Sequence, residues 1–257
     1  PFLFGEWYTC PIQNKHLFMP RIAINGFGRI GRNTLKAGFS KSGFNVVAIN
    51  DLGDPKVLAA LLQNDTAYGR FAKKVKAGKN WISIDGKKIP VYGERNPADL
   101  PWAKHKVDVV LECTGFFRTE EAANAHVEAG AKRVIISAPS KGGNVPTYVR
   151  GVNHDGIKKE KAAVIDNASC TTNCSAPVMA ILQEAFGIKK AMMSTIHAYT
   201  GDQNLQDGPH RDPRRARAAA QNTIPTSTGG AIDVTEGMRA LKGKFDGMAF
   251  RVPVITG

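Results

Sequence analysis

Cysteine is scarce in this chain, four in 257 residues, and the spacing of Cys170 and Cys174 fits neither a disulfide framework nor a usual zinc site. Such thiol usage suits a reducing compartment, and a cytoplasmic protein without a metal is expected. Long apolar runs are also missing: none reaches the ~18 residues of a membrane-spanning helix, which argues against an integral membrane protein. Acidic residues are in deficit, 22 against 35 Lys plus Arg, for a net charge of +13. That balance attracts anionic ligands. It does not favour nucleic acid, because the local cluster Arg211, Arg214, Arg215 and Arg217 lacks interleaved aromatics and no finger or RNP motif accompanies it. Residues 1–18 lack the basic region, the clean apolar region and the cleavage site of a secretory signal. They read as an extra leader before Met19, expected to be disordered, which takes Cys10 out of the argument.

The composition, 42% hydrophobic and 22% charged, is that of a globular chain long enough for a substantial core. Arg21–Asn25 reads as a short strand leading into Gly26-Phe27-Gly28-Arg29-Ile30-Gly31 and then a helix. This is G-x-G-x-x-G in the setting of a dinucleotide fold: Gly26 for the turn, Gly28 for approach of a pyrophosphate, Gly31 for helix–strand contact. The next strand, Asn45–Asn50, runs into Asp51, twenty residues past Gly31, where a carboxylate would hold adenosine ribose hydroxyls and repel a 2′-phosphate. NAD is therefore favoured over NADP. Further strands are expected at 107–112 and 133–137 around a helix at 120–127, which implies an α/β, Rossmann-type doubly wound parallel sheet. Trp81–Val91 reads as a hairpin turning at Asp85-Gly86 and inserted among the βα units. Thr114-Gly115 and Ser137 either line the ligand crevice or are simple turn chemistry. His105, His126 and His154 have no partners at metal-ligand spacing and read as solvated or structural.

The run Ser169-Cys170-Thr171-Thr172-Asn173-Cys174 stands between a strand-like stretch, 162–166, and an apolar helical one from Ser175. Cys170 then lies near a helix N-terminus, where free N–H groups and the macrodipole favour a thiolate. His197, near the end of a strand-like run from Ala191, is placed to serve as its base. The neighbouring hydroxyls and amide suit an anionic intermediate or phosphate.

With these motifs, the chain from Pro20 to Gly257 closely resembles phosphorylating glyceraldehyde-3-phosphate dehydrogenases. The resemblance extends to Glu112-Cys113-Thr114-Gly115, His197-Ala198-Tyr199-Thr200, Arg214 to Ala219, Pro225 to Gly229 and Phe250 to Val254. It implies that Cys170 attacks the aldehyde of glyceraldehyde 3-phosphate, that His197 is the general base, and that inorganic phosphate resolves the thioester. The implied cofactor-binding residues are Gly26, Phe27, Gly28, Arg29, Ile30, Gly31, Asp51, Arg95, Thr114, Gly115 and Ser137. Thr200, Asp202 and Arg251 would serve the substrate's phosphate, with Asp202 orienting Arg251. Ser169, Thr171, Thr228 and Gly229 would serve the attacking phosphate. Cys174 is expected to be a packed structural thiol. Residues 199–222 resemble the family's long loop that lines the cofactor site and packs between subunits, and a homotetramer is implied.

The expected domains are an NAD-binding unit over 19–168 and an α+β catalytic unit over 169–257. The second reads as C-terminally truncated, because it ends in a strand. Gly208 and Pro213 depart from the leucines common in NAD-using members, which makes room for a 2′-phosphate that Asp51 still opposes. Two rivals remain at this level: erythrose-4-phosphate dehydrogenase, which shares the thiol, the histidine and the nucleotide motif, and a catalytically silent nucleotide-fold binding protein.

Overall fold

Alternation of β-branched runs with helical patterning builds one large sheet first. In the computed structural model, which describes residues 19–142 and 144–256, β1 (Arg21–Asn25) buries Ile22, Ala23 and Ile24 and is followed by α1 (Arg29–Gly38). The leader expected over 1–18 lies outside the described residues. β2 (Asn45–Asn50) pairs parallel to β1, with Ile49 opposite Ile24. α2 (Pro55–Gln63) opens with proline at its start and an Asp54 cap that accepts from the Lys56 N–H at 2.7 Å, an arrangement worth about 1 kcal/mol. A short hairpin, β3 (Asn64–Asp65) and β4 (Gly69–Arg70), precedes β5 (Val75–Ala77), β6 (Trp81–Ile84) and β7 (Lys87–Tyr92). β8 (Val109–Glu112), α3 (Glu120–Glu128), β9 (Arg133–Ile136) and β10 (Val164–Asp166) complete the sheet.

The strand order is β10-β9-β8-β1-β2-β7-β6-β5, parallel from β10 to β7 and antiparallel across β7, β6 and β5. Both faces are apolar because successive side chains point to opposite sides. Ile24 enters a cluster with Phe27, Leu35, Ile49 and Leu62, whereas its neighbour Ala23 enters another with Trp102, Val110 and Val134. The hairpin expected at Trp81–Val91 is present, with Ile84 opposite Lys87. It is not an insertion, however: β7 pairs with β2, so the hairpin and β5 extend the main sheet at its edge.

A second sheet follows α4 (Cys170–Phe186), with β11 (Ala191–Ala198) parallel to β13 (Phe245–Val252) and β12 (Ile224–Thr226) antiparallel to β13. α5 (Gly230–Gly237) packs beside α4 over a third cluster containing Ala176, Met179, Val234 and Leu241. Register matters here for chemistry. His197 of β11 sits opposite Arg251 of β13, so two adjacent strands deliver an imidazole and a guanidinium side by side.

Candidate active site

The sheet reverses its direction of winding at β1, which has β2 on one flank and β8 on the other, and this opens a crevice at the strands' carboxyl ends. A cleft of roughly 590 Å³ lies there, lined by Asn25, Gly26, Gly28, Asn50, Asp51, Leu52, Glu94, Arg95, Cys113, Thr114, Phe116 and Phe117. Gly26 has φ +89°, and a Cβ on it would stand 2.7 Å from the Thr114 amide nitrogen, so no other residue fits the turn. A Cβ on Gly31 would lie 2.2 Å from the Gly26 carbonyl oxygen. At Gly28, the N-cap of α1, a Cβ would meet nothing within 4 Å. That open space at a helix N-terminus fits a pyrophosphate. Asp51 is held by the Phe27 and Gly53 N–H groups, which donate to its two oxygens at 2.6 and 2.8 Å. Its carboxylate thereby fixes the glycine turn as well as lining the cleft.

Of the expected cofactor residues, Gly26, Gly28, Asp51, Arg95 and Thr114 come together in this cleft. Phe27 is fully buried in the core and contributes its backbone N–H, while Arg29 and Ile30 line a neighbouring groove of roughly 800 Å³ together with Thr200. Ser137 lies off the cleft: its N–H donates to the Glu112 carbonyl and its side chain partners the Cys113 thiol. Glu112 is an element the sequence reading missed. Fully buried, it accepts from Asn25 Nδ2 at 2.5 Å, from the Thr114 N–H at 2.7 Å and from the Thr114 hydroxyl. His126 is also fully buried, not solvated; Trp102 Nε1 donates to its Nδ1 at 2.9 Å, so its Nε2 carries the hydrogen shared with Glu112 at 3.0 Å. The network thus sets two cleft residues, Asn25 and Thr114, from beneath.

Burial pushes the Cys113 thiol up to about 12. Below that pH it remains protonated and inert. Alkylation with iodoacetamide at neutral pH is therefore expected to label the exposed Cys170 and Cys174 and to spare Cys113, as peptide mapping would show. The packed thiol expected at Cys174 is corrected by its exposure: four residues after Cys170 on α4, it shares that residue's outward face.

Cys170 opens α4, five residues earlier than the helix expected from Ser175, because Ser169 caps it: Ser169 Oγ accepts from the Thr172 N–H at 3.0 Å. Ala168 just before has φ +55°, a left-handed conformation costing an alanine about 1–2 kcal/mol, and its N–H is held by Asp166 at 2.8 Å. Asn173 ties the turn shut, donating to the Asn167 and Ser169 carbonyls at 2.6 and 3.0 Å. The thiol so presented lies 3.3 Å from His197 Nε2. His197 Nδ1 faces the Ala198 carbonyl at 2.6 Å; since a carbonyl only accepts, Nδ1 bears the hydrogen and Nε2 is free to take the thiol's.

A pocket of roughly 390 Å³ encloses the pair together with Arg118, Ser169, Thr171, Thr228, Gly229, Asp233 and Arg251. Arg251 Nη1 donates to the Ala198 carbonyl at 3.0 Å and to Thr200 Oγ1 at 3.3 Å, while its Nε is buried without a partner among the described residues. A buried orphan donor next to a thiol suits an incoming anion. Burial, helped by the Arg215 charge, draws its affinity for its own proton below that of an ordinary arginine. Asp202 does not orient Arg251. It pairs instead with Arg215, whose Nε and Nη2 also donate to Thr226 Oγ1 at 2.9 and 2.7 Å. This happens because the long loop folds on itself around Asn204, which receives the Ala219 N–H and donates to the Gly208 carbonyl, bringing Arg215 to Asp202.

A thiol nucleophile beside a dinucleotide crevice defines a class: oxidoreductases that capture their substrate covalently before removing its hydrogen. Comparison with known proteins narrows it. The family model for the glyceraldehyde 3-phosphate dehydrogenase NAD binding domain matches residues 20–120, and that for the glyceraldehyde 3-phosphate dehydrogenase C-terminal domain matches residues 169–257. Glyceraldehyde-3-phosphate dehydrogenase of Kitasatospora aureofaciens is 51% identical over 240 residues, covering 93% of this chain and 72% of the relative. Glyceraldehyde-3-phosphate dehydrogenase 2 of Synechocystis is 52% identical over 91% of this chain and 70% of its own length, and glyceraldehyde-3-phosphate dehydrogenase of Clostridium pasteurianum is 52% identical over 93% and 72%. The chain belongs to the glyceraldehyde-3-phosphate dehydrogenase family.

Proposed function

We propose that this chain catalyses the NAD-dependent oxidation and phosphorylation of glyceraldehyde 3-phosphate to 1,3-bisphosphoglycerate. The observation that carries the reading is the 3.3 Å contact between Cys170 Sγ and His197 Nε2 in a pocket that also holds Arg251. His197 Nε2 takes the thiol proton, the sulfur, at the positive end of α4, attacks the aldehyde carbon, and the protonated imidazole passes that proton to the carbonyl oxygen, which leaves a neutral hemithioacetal and a neutral Nε2. As the carbonyl re-forms, Nε2 takes the hydroxyl proton; NAD, when held in the neighbouring cleft, would supply the two-electron acceptor that this oxidation to the thioester needs. Inorganic phosphate then attacks the thioester carbon, the C–S bond breaks, and Cys170 leaves as thiolate. Thr200 and Arg251 would hold the substrate's phosphate; Ser169, Thr171, Thr228 and Gly229 would hold the attacking one. The cofactor would be held by Gly26, Gly28, Asp51, Arg95 and Thr114. NADH formation requiring aldehyde, NAD and phosphate together is the test; steady turnover without phosphate, or faster turnover with erythrose 4-phosphate, would sink the assignment.

Asp51→Ala is expected to raise KM for NAD about tenfold, since it removes both the ribose acceptor and the anchor of the Phe27 N–H, and to relax exclusion of NADP. Steady-state titration with each cofactor checks this. The unit boundary is taken between 168 and 169, on the support that the parallel sheet's edge strand ends at Asp166 and α4 starts at Cys170. A homotetramer is proposed because Met192, Ile196 and Met248 are 75%, 64% and 48% exposed on the second sheet, an apolar face that association would cover. Sedimentation analysis tests it. A cytoplasmic location is proposed from thiol usage; among the described residues no helix is long and apolar enough to cross a membrane.

A further inference from the structure

Two charged side chains in the thiol pocket have no part in the steps above, and they reach it from separate elements. Arg118, ahead of α3, is anchored by Nε and Nη2 donating to the Pro139 carbonyl at 2.8 and 2.6 Å. A guanidinium has five N–H donors, so Nη1 and one Nη2 hydrogen remain to meet a ligand in the pocket. Asp233, in the first turn of α5, accepts from Thr172 Oγ1 at 3.1 Å. A Cβ built on Gly229 would stand 3.6 Å from Asp233 Oδ1. Asp233 therefore belongs to the contact group of Ser169, Thr172 and Gly229, whereas the bonds of Arg251 run to Ala198 and Thr200. Burial holds the Asp233 carboxyl above its ordinary range, and the Arg118 charge is among the influences pulling it back down.

The subsite assigned to attacking phosphate would otherwise consist of hydroxyls and backbone N–H groups with a half-buried acid beside them. A phosphate placed there meets like charge without compensation. We propose that Arg118 is the cationic member of that subsite, with Asp233 opposing it, so that the pair sets the affinity for inorganic phosphate. This rests on reading the pocket as the phosphorylating centre. A planar guanidinium already fixed by two bonds loses little freedom on binding a phosphate oxygen.

The test compares wild type with Arg118→Gln, Arg118→Lys and Asp233→Asn, each checked by thermal melting. KM for phosphate is expected to rise about tenfold in Arg118→Gln, to recover partly in Arg118→Lys, and to fall severalfold in Asp233→Asn, while KM for the aldehyde shifts at least fivefold less. A structural role for the Pro139 clamp would move both constants together, and that result overturns the proposal. Calorimetric titration of inorganic phosphate supplies a reading independent of turnover. Weaker binding by Arg118→Gln than by Arg118→Lys supports the inference even in a chain that forms no NADH, where the phosphorylating assignment itself would have failed. Equal binding by all variants overturns it. Should Arg118→Gln not fold, Asp233→Asn decides alone: tighter phosphate binding supports, unchanged or weaker binding refutes.

Discussion

Cys170→Ala is expected to lower kcat by about 10⁵-fold or more, with no compensating change in cofactor affinity. The sulfur is the only atom that bonds to substrate in the scheme, and the donors left in the pocket, Arg251 and the hydroxyls around Ser169, can bind the aldehyde but cannot hold its oxidation energy as a thioester. The substitution is clean because the residue is exposed and its main-chain role belongs to others: Ser169 caps the helix and Asn173 closes the turn. Stability should therefore move by less than about 0.5 kcal/mol. Melting curves and NAD titrations separate this outcome from simple unfolding. A folded variant retaining more than about one part in a thousand of the wild-type rate would remove the thiol from the mechanism.

How much of this was legible beforehand follows from how far apart along the chain each interaction reaches. The glycine turn and Asp51 are read from one βαβ unit, and the capped thiol from one strand-to-helix junction, because their geometry is made by contiguous backbone. The base could be placed as far as its strand, since His197 lies near the end of the run from Ala191 that forms β11, but which face it takes was not readable, because Ile196 beside it is the residue that points outward. Arg118 and Asp233 were not legible. They lie 115 positions apart by number (118 to 233), one ahead of α3 and the other in the first turn of α5, and only the folded chain puts both on one pocket. Glu112 was read as the end of a strand, but its buried network depends on Asn25 and His126 arriving from other elements. The loop after Tyr199 carries neither a 2.0 nor a 3.6 periodicity, so nothing in its sequence told that Asp202 would choose Arg215 over Arg251. Cys174 was within reach, because its four-residue offset from an exposed thiol on one helix already implied a shared face.

His197→Asn is expected to lower kcat by 10²- to 10⁴-fold, the range of a lost general base. Asparagine is a discriminating replacement. Its amide can still donate to the Ala198 carbonyl that now receives Nδ1, so the β11 backbone and the neighbouring Arg251 bond to the same carbonyl are retained, but nothing remains at the Nε2 position facing the thiol. KM for NAD should stay within about twofold, because His197 lines the thiol pocket and not the nucleotide cleft. The residual rate should climb with pH, since solvent hydroxide then removes the proton that Nε2 removed. Most decisive is the combination with Cys170→Ala. If the two side chains act as one unit, the double variant will be hardly slower than Cys170→Ala alone, because a base without a nucleophile has nothing to activate. Losses that multiply instead would mean that His197 acts on the substrate independently of the sulfur, and the 3.3 Å contact would then be a consequence of packing and not the origin of the chemistry.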